Sequence, residues 1–331
     1  MKNKSILITG GTGSFGKHFI SYVSKKHKSN RIVVYSRDEL KQSEMMEQYP
    51  KKKFPHLRFF LGDVRDKDRL DRAVQNVDII VHAAALKQVE ASEYNSFEFI
   101  KTNIIGAQNI VEVAIKNKVK RIVALSTDKA AAPTNLYGAT KLCSDKIFSS
   151  ANNYSGKSGA IFSVVRYGNV MFSRGSVIPL FLKLNKSETL FPITDKRMTR
   201  FNISLEESVD MVLWAILNAK GGEIFVPKIP SYRILDLAKA INPNKKFKII
   251  GIRPGEKIHE ELITSSDSQM TYDLGKYFTI LNPANARVIK YYSSKKFKKF
   301  PFGESYNSEN NNKFLSNLEL KKILKKQISI T

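Results

Sequence analysis

A glycine-rich turn, Gly10-Gly-Thr-Gly-Ser-Phe-Gly16, sits between a short apolar run, Ser5–Thr9, and a helical pattern that extends to about His27. No other feature restricts the possible folds as much. Glycine allows the tight turn and the close approach of backbone to ligand, and the amides opening the following helix meet negative charge. Glycines 10, 13 and 16 have the Gly-x-x-Gly-x-x-Gly spacing, while 11, 13 and 16 have the Gly-x-Gly-x-x-Gly spacing, so two registers are open. A second buried run, Arg31–Tyr35, completes a β-α-β unit. The unit predicts an α/β protein with a doubly wound parallel sheet of the Rossmann type. A dinucleotide pyrophosphate is expected against Gly10, Gly13, Ser14, Phe15 and Gly16.

The end of the second strand selects the cofactor. An acidic residue there suits the free ribose hydroxyls of NAD, whereas an arginine suits the 2′-phosphate of NADP. The chain reads Ser36-Arg37-Asp38-Glu39-Leu40-Lys41. Arg37 comes first, Lys41 adds a second cation, and Asp38 is positioned to cap the next helix. NADP is the expected cofactor, with Ser36, Arg37, Asp38 and Lys41 at its adenosine end.

The alternation continues. His56–Leu61 reads as strand three, followed by Asp63 and Val64, and Asp78–His82 as strand four, followed by Ala83, Ala84, Ala85, Leu86 and Lys87. Alanines at a strand exit admit a ligand close to the backbone, so Ala83 and Ala84 are expected at the cofactor and Lys87 near phosphate or sugar. Apolar residues at 97, 100, 104, 107, 111 and 114 predict one long helix ending near Asn117, with Asn103 as a structural brace.

Arg121–Leu125 predicts a fifth buried strand, Ser126–Asn135 the loop leaving its carboxyl end, and Leu136–Asn152 a helix. In open α/β sheets, ligands bind at such strand ends. Here the loop carries Thr127, Asp128 and Lys129, and the helix carries Tyr137 and Lys141 four residues apart on one face. A phenol of ordinary pKa about 10 becomes a base near neutrality only when its anion is stabilised, and the Lys141 ammonium is within reach.

With 331 residues the chain buries enough surface to fold without a metal or a disulfide, and no metal site is expected. Its single cysteine, Cys143, is expected to be a buried, inert thiol, and its solitude fits a reducing cytoplasm. No apolar run reaches membrane-spanning length, and no secretion signal precedes the first strand. The formal charge of +25 is spread along the chain, with clusters at 51–53, 295–299 and 321–326. Without a nucleic-acid motif this reads as solvated faces that attract an anionic small substrate, with neither nucleic acid nor membrane as partner.

Together, the glycine turn, the Ser126-Thr-Asp-Lys129 loop and Tyr137-x-x-x-Lys141 resemble the extended short-chain dehydrogenases/reductases that act on nucleotide sugars. Ser36–Lys41, Ala83–Lys87, Lys101-Thr-Asn103, Arg166-Tyr-Gly-Asn169, Arg174-Gly-Ser-Val177, Arg197–Phe201 and Ile252-Arg-Pro-Gly-Glu-Lys257 are similar to the inverting UDP-N-acetylglucosamine 4,6-dehydratases. Those are soluble, homo-oligomeric bacterial enzymes that open pseudaminic acid synthesis. The resemblance implies UDP-N-acetylglucosamine as substrate, bound by Lys87, Asn169, Arg174, Val177, Arg200, Arg253 and Glu256. It also implies catalysis by Thr127, Asp128, Lys129, Tyr137 and Lys141: Tyr137 as base at the 4-hydroxyl, a neutral Lys129 as base at C5, and a protonated Asp128 as acid at the 6-hydroxyl.

Residues 1–170 are expected to form the NADP-binding domain, with 203–228 returning to it, while 171–202 and 229–331 form a smaller nucleotide-sugar-binding part. Phe172 replaces a glycine usual in that family, Gln88 a histidine and Asn202 a tryptophan. Two other readings stay open. One is an NADP-dependent UDP-sugar 4-epimerase, which needs Tyr137 and Lys141 but not Lys129. The other is a cofactor-binding scaffold that uses its basic surface.

Overall fold

The computed structural model describes residues 1–27, 29–156, 159–173, 175–187 and 189–328. Six strands, β1 (Ser5–Thr9), β2 (Arg31–Ser36), β3 (Leu57–Leu61), β4 (Ile79–His82), β5 (Arg121–Thr127) and β6 (Ile161–Tyr167), lie parallel in the order 3-2-1-4-5-6. The order reverses between β1 and β4, which opens a crevice at their carboxyl ends. Ile6, Leu7 and Ile8 of β1 and Ile32, Val33 and Val34 of β2 are fully buried, as expected for strands covered by helices on both faces.

The covering helices are α1 (Ser14–Lys26), α2 (Glu39–Gln48), α3 (Lys67–Val74), α4 (Val89–Tyr94), α5 (Ser96–Ile100), α6 (Gly106–Lys116) and α7 (Leu136–Tyr154). Side-chain caps set three of their starts: Asp38 accepts from the Lys41 amide, Asp66 from Arg69 and Asn135 from Gly138.

The sheet continues past β6. Strand 223–227 pairs parallel to it, and strands 277–280, 271–273 and 298–299 then add antiparallel, giving ten strands. Part of 229–331 therefore extends the main sheet rather than standing apart from it. The helix Leu205–Asn218 opens with a capping box between Ser204 and Glu207 and packs against α1. A second core gathers Met171, Phe181, Phe191, Tyr232, Leu237 and Leu320 beneath helices 177–185, 234–241 and 317–328. Ser316 and Glu319 exchange capping hydrogen bonds at the last of these helices. Among the described residues no helix is long and apolar enough to cross a membrane.

Two expectations need correction. The single long helix ending near Asn117 is broken by a π-helical segment, Lys101–Ile105, between α5 and α6. Its wider turn carries the buried Asn103, whose side chain bonds both backbone groups of Leu86 at 2.9 Å and the Thr140 hydroxyl at 3.0 Å. Asn103 thus braces the loop after β4 against α7. The thiol of Cys143 is exposed, not buried. The buried face of α7 runs through Tyr137, Lys141, Ser144, Asp145 and Phe148, and position 143 falls outside that stripe.

Candidate active site

At the end of β1, Gly10 has φ +65, and a side chain there would come within 2.9 Å of the Ala84 amide. A Cβ on Gly16 would lie 2.5 Å from the Gly11 carbonyl oxygen, so helix α1 approaches the turn as closely as it does only because residue 16 is glycine. The start of α1 has no side-chain cap and no acidic residue in its first turn. Amides left free in this way, beside a turn that brings the backbone close, fit an anionic pyrophosphate. Ser14 and Phe15 lie in that first turn. Thr9 ties the crevice together: its hydroxyl bonds His82 at 2.9 Å and accepts from the amides of Ala83 and Ala84, both at 3.2 Å.

Past β2, Ser36 is buried against Gln42, while Arg37 projects outward with its guanidinium 3.6 Å from Asp63. Lys41 pairs with Asp38. Burial opposes ionisation of Asp63, but the hydrogen bonds and charges of Arg65, aided by Arg37, hold its carboxyl below the usual range. Val64 is buried, and its carbonyl accepts from Asn109.

The centre of the site is built from β5, the turn after it and α7. A Cβ on Gly138 would lie 2.3 Å from the Lys129 carbonyl oxygen, so the glycine lets α7 press against that turn. Asp128 is completely buried, with Oδ1 accepting from Thr127 at 3.0 Å and from Lys129 at 3.1 Å. Its Oδ2 has no protein partner, and Gly168 leaves space beside it. Burial pushes the Asp128 carboxyl up against the pull of Lys129, and the negative Glu260 adds to the rise. A protonated Asp128, able to donate, fits this environment.

Lys129 does not match the neutral amine expected from the sequence. Its Nζ lies 3.1 Å from Asp128 and 3.0 Å from Glu260. Burial favours the neutral amine, but the two carboxylates outweigh it and hold Lys129 charged. Burial pushes the Tyr137 phenol up to about 12, with the Lys129 charge and Thr127 pulling the other way. Lys141, depressed by burial, donates at 2.8 Å to the Leu125 carbonyl of β5. The amine of Lys87 is lowered by burial and by the charge of Lys129.

The expected sugar-nucleotide residues form a chain of charges leading into this centre. Arg253 meets Glu256 at 3.1 Å through two nitrogens, Glu256 meets Arg200 at 3.4 Å, Arg200 lies 3.8 Å from Glu260, and Glu260 reaches Lys129. Arg200 is buried and also donates to the carbonyls of Thr199 and Ile258, so it faces Glu260 rather than open solvent. Gly255 accepts from Thr134 and Asn135, and Lys257 donates to Ala131 at 2.6 Å, which clamps segment 253–257 over the catalytic loop. Asn169 pairs in register with Asn202, and Val177 opens the helix 177–185. Arg174 lies outside the described residues. Phe172 has φ +59, a left-handed conformation that costs a residue with a side chain about 1–2 kcal/mol, which accounts for glycine being usual there.

Glu260 and Tyr232 are the residues that sequence reasoning missed. Burial pushes the Tyr232 phenol up to about 12, and it feels Arg200, Asn169, Asp128 and Lys129. Glu260 is 131 residues from Lys129, and only its neighbourhood to the Arg253–Lys257 motif hinted at it.

The sequence model of a family described as polysaccharide biosynthesis protein matches residues 6–282. An inverting UDP-N-acetylglucosamine 4,6-dehydratase of Campylobacter jejuni is 52% identical over 328 residues, covering 97% of each chain. A Rickettsia akari protein named UDP-glucose 4-epimerase is 42% identical, covering 97% of this chain and 95% of its own. The X-ray structure of Pen from Bacillus thuringiensis, 38% identical, superposes with a TM-score of 0.88 over 98% of this chain and 99% of that one.

Proposed function

The chain belongs to the polysaccharide biosynthesis protein family, and from that premise we propose that it performs the inverting dehydration of UDP-N-acetylglucosamine. The product is UDP-2-acetamido-2,6-dideoxy-β-L-arabino-hexos-4-ulose. The observation that carries the reading is the Lys129 ammonium held beside a fully buried Asp128 and next to Tyr137. The 52% identity to a relative of that name supports it. An epimerase needs no such acid–base pair.

The glycine turn and the start of α1 would hold a nicotinamide cofactor, which would supply hydride acceptance at C4 and hydride return at C6. The chain's own residues move the protons. Tyr137 takes the 4-hydroxyl proton, Thr127 hydrogen-bonds the sugar 4-oxygen, and Lys141 fixes the phenol and the ribose. The C4 ketone then acidifies the C5 proton. Lys129 removes it while Asp128 donates to the 6-oxygen, so that water leaves. A proton from solvent delivered to C5 from the other face inverts that centre, and Tyr137 returns to solvent the proton it took from the 4-hydroxyl, so the count closes. Arg253 clamps the diphosphate, with Arg174 and Lys87, and Glu256 accepts from the uridine ribose. Asn169, Val177 and Arg200 line the sugar side.

The cofactor is NADP, through Arg37 and Lys41. Arg37→Ala should weaken NADP binding about tenfold or more and leave NAD binding nearly unchanged, measured by fluorescence titration. Equal losses for both cofactors would contradict that assignment. The protein works as a homo-oligomer in the cytoplasm.

Relatives named UDP-glucose 4-epimerase at about 42% identity favour a second reading, a UDP-sugar 4-epimerase using Tyr137 without Lys129. Product mass separates the two. Loss of one water from UDP-N-acetylglucosamine supports dehydration, and a product of unchanged mass overturns it.

A further inference from the structure

We propose that Glu260 is the third member of the acid–base unit, a positioning residue that fixes the Lys129 ammonium and accepts its proton when Lys129 acts as a base. The inference rests on the dehydratase reading above. Glu260 is 2% exposed, and its Oε1 lies 3.0 Å from Lys129 Nζ. Its Oε2 is buried without a hydrogen-bond partner. A buried acceptor with unused capacity is costly to keep; burial pushes the carboxyl up, the charges of Lys129 and Arg200 hold it below its ordinary range, and the unpartnered Oε2 is where a proton can be taken. The backbone is held on both sides: its amide donates to Ser308 Oγ at 2.9 Å, and its carbonyl accepts from the Ser308 amide at 2.8 Å.

The charges facing Lys129 and Glu260 come from several segments: Asp128 from the turn after β5, Arg200 from strand 199–203, and Lys257 from the clamp segment. With Asp128 carrying the proton it is to donate, the Glu260 carboxylate keeps Lys129 charged at rest, which leaves it unable to take a proton from C5. Transfer of one proton from Nζ to the Glu260 carboxylate frees the amine lone pair. The amine takes the C5 proton and becomes ammonium again, while Asp128 gives its proton to the departing 6-oxygen. Asp128 recovers a proton from Lys129, and Lys129 recovers one from Glu260. The carboxyl of Glu260 thus stores one proton, and no oxidant or reductant is involved in its part of the cycle.

Glu260→Gln keeps the shape and removes the acceptor. Water elimination should fall roughly 10- to 100-fold, while cofactor reduction, measured in a single turnover by absorbance, stays within a few-fold of the parent. The pH profile carries the distinguishing readout. With an internal acceptor the elimination rate is flat through the neutral range. Without it, Lys129 must release its proton to solvent, so the residual rate should climb about tenfold per pH unit there. Glu260→Asp should recover part of the rate and the flat profile. A merely structural role would lower both half-reactions together without changing the profile, and that result, or an unchanged rate in Glu260→Gln, overturns the proposal.

A substrate-free measurement separates this from the dehydratase reading. In NMR of lysine labelled at Cε, Lys129 should titrate at lower pH in Glu260→Gln than in the parent, because the Glu260 counter-charge is gone. An unchanged titration overturns the proposal even if the parent dehydrates its substrate. A shifted titration in a parent that eliminates no water supports the pairing and overturns the dehydratase reading instead.

Discussion

Replacing Lys129 by methionine should abolish water elimination, by about a hundred- to ten-thousandfold, and slow hydride removal from C4 far less, through loss of the charge that lowers the Tyr137 phenol. The side chains of Tyr137, Thr127 and Lys141 stay in place, so oxidation at C4 proceeds, slowed by the lost Lys129 charge, and a reduced cofactor accumulates. Rapid-mixing absorbance reads the first step, and mass spectrometry of the nucleotide sugar reads the second. Equal loss of both steps would place Lys129 outside the elimination chemistry.

The same substitution should also destabilise the fold. It removes the ammonium lying between two buried carboxyl groups, those of Asp128 and Glu260. Removing one partner of a buried ion pair typically costs about 3–5 kcal/mol. The pH dependence has a definite sign. Without Lys129 the folded-state pKa of Asp128, already raised by burial and by Glu260, rises further above its unfolded value. The folded variant then holds more protons than the unfolded chain between those two values, so its stability falls as pH rises through that window. The deficit should be greatest at neutral pH and shrink on acidification, as measured by urea denaturation at a series of pH values. A pH-independent deficit would contradict the coupled pair.

Tyr137→Phe should have the complementary effect. The phenol is buried and pushed up to about 12, so its conversion to a base depends on the cations near it, with Lys129 the cation that lowers it here. Removing the hydroxyl should cut C4 oxidation about a hundred- to ten-thousandfold, and elimination with it, since C5 has no acidity without the ketone. No reduced cofactor should accumulate, in contrast to Lys129→Met. Cofactor accumulation at the parental rate in Tyr137→Phe would assign the first proton transfer to another group.

The parts of the molecule that were legible in the sequence are those that local pattern controls. The glycine turn between β1 and α1, the buried runs of β1, β2 and β5, and the Asp38 and Ser316 caps each depend on residues a few positions apart. The antiparallel edge was not legible. Strands 271–273 and 277–280 are three and four residues long and joined through Gly275 at φ +84, too short for a periodic signal. The π-helical turn is not legible because apolar periodicity tolerates one inserted residue; it is defined by backbone bonding, with the Gly106 amide donating to the Lys101 carbonyl.

In the site, Asp128 and Lys129 were visible as neighbours, but the charge state of Lys129 was not. That state depends on Glu260, which reaches it only through tertiary packing of segment 253–260 on the catalytic loop. The contact of Lys141 with the Leu125 carbonyl likewise depends on how α7 leans on β5, which i,i+4 spacing does not report.

The most direct test of the central claim is proton NMR and mass spectrometry of UDP-N-acetylglucosamine incubated with the protein and catalytic NADP in deuterated water. Loss of one water, deuterium at C5 and couplings of the L-arabino configuration are the predicted result. A product of unchanged mass with inverted C4, or a dehydrated product that retains the parent configuration at C5, would contradict it.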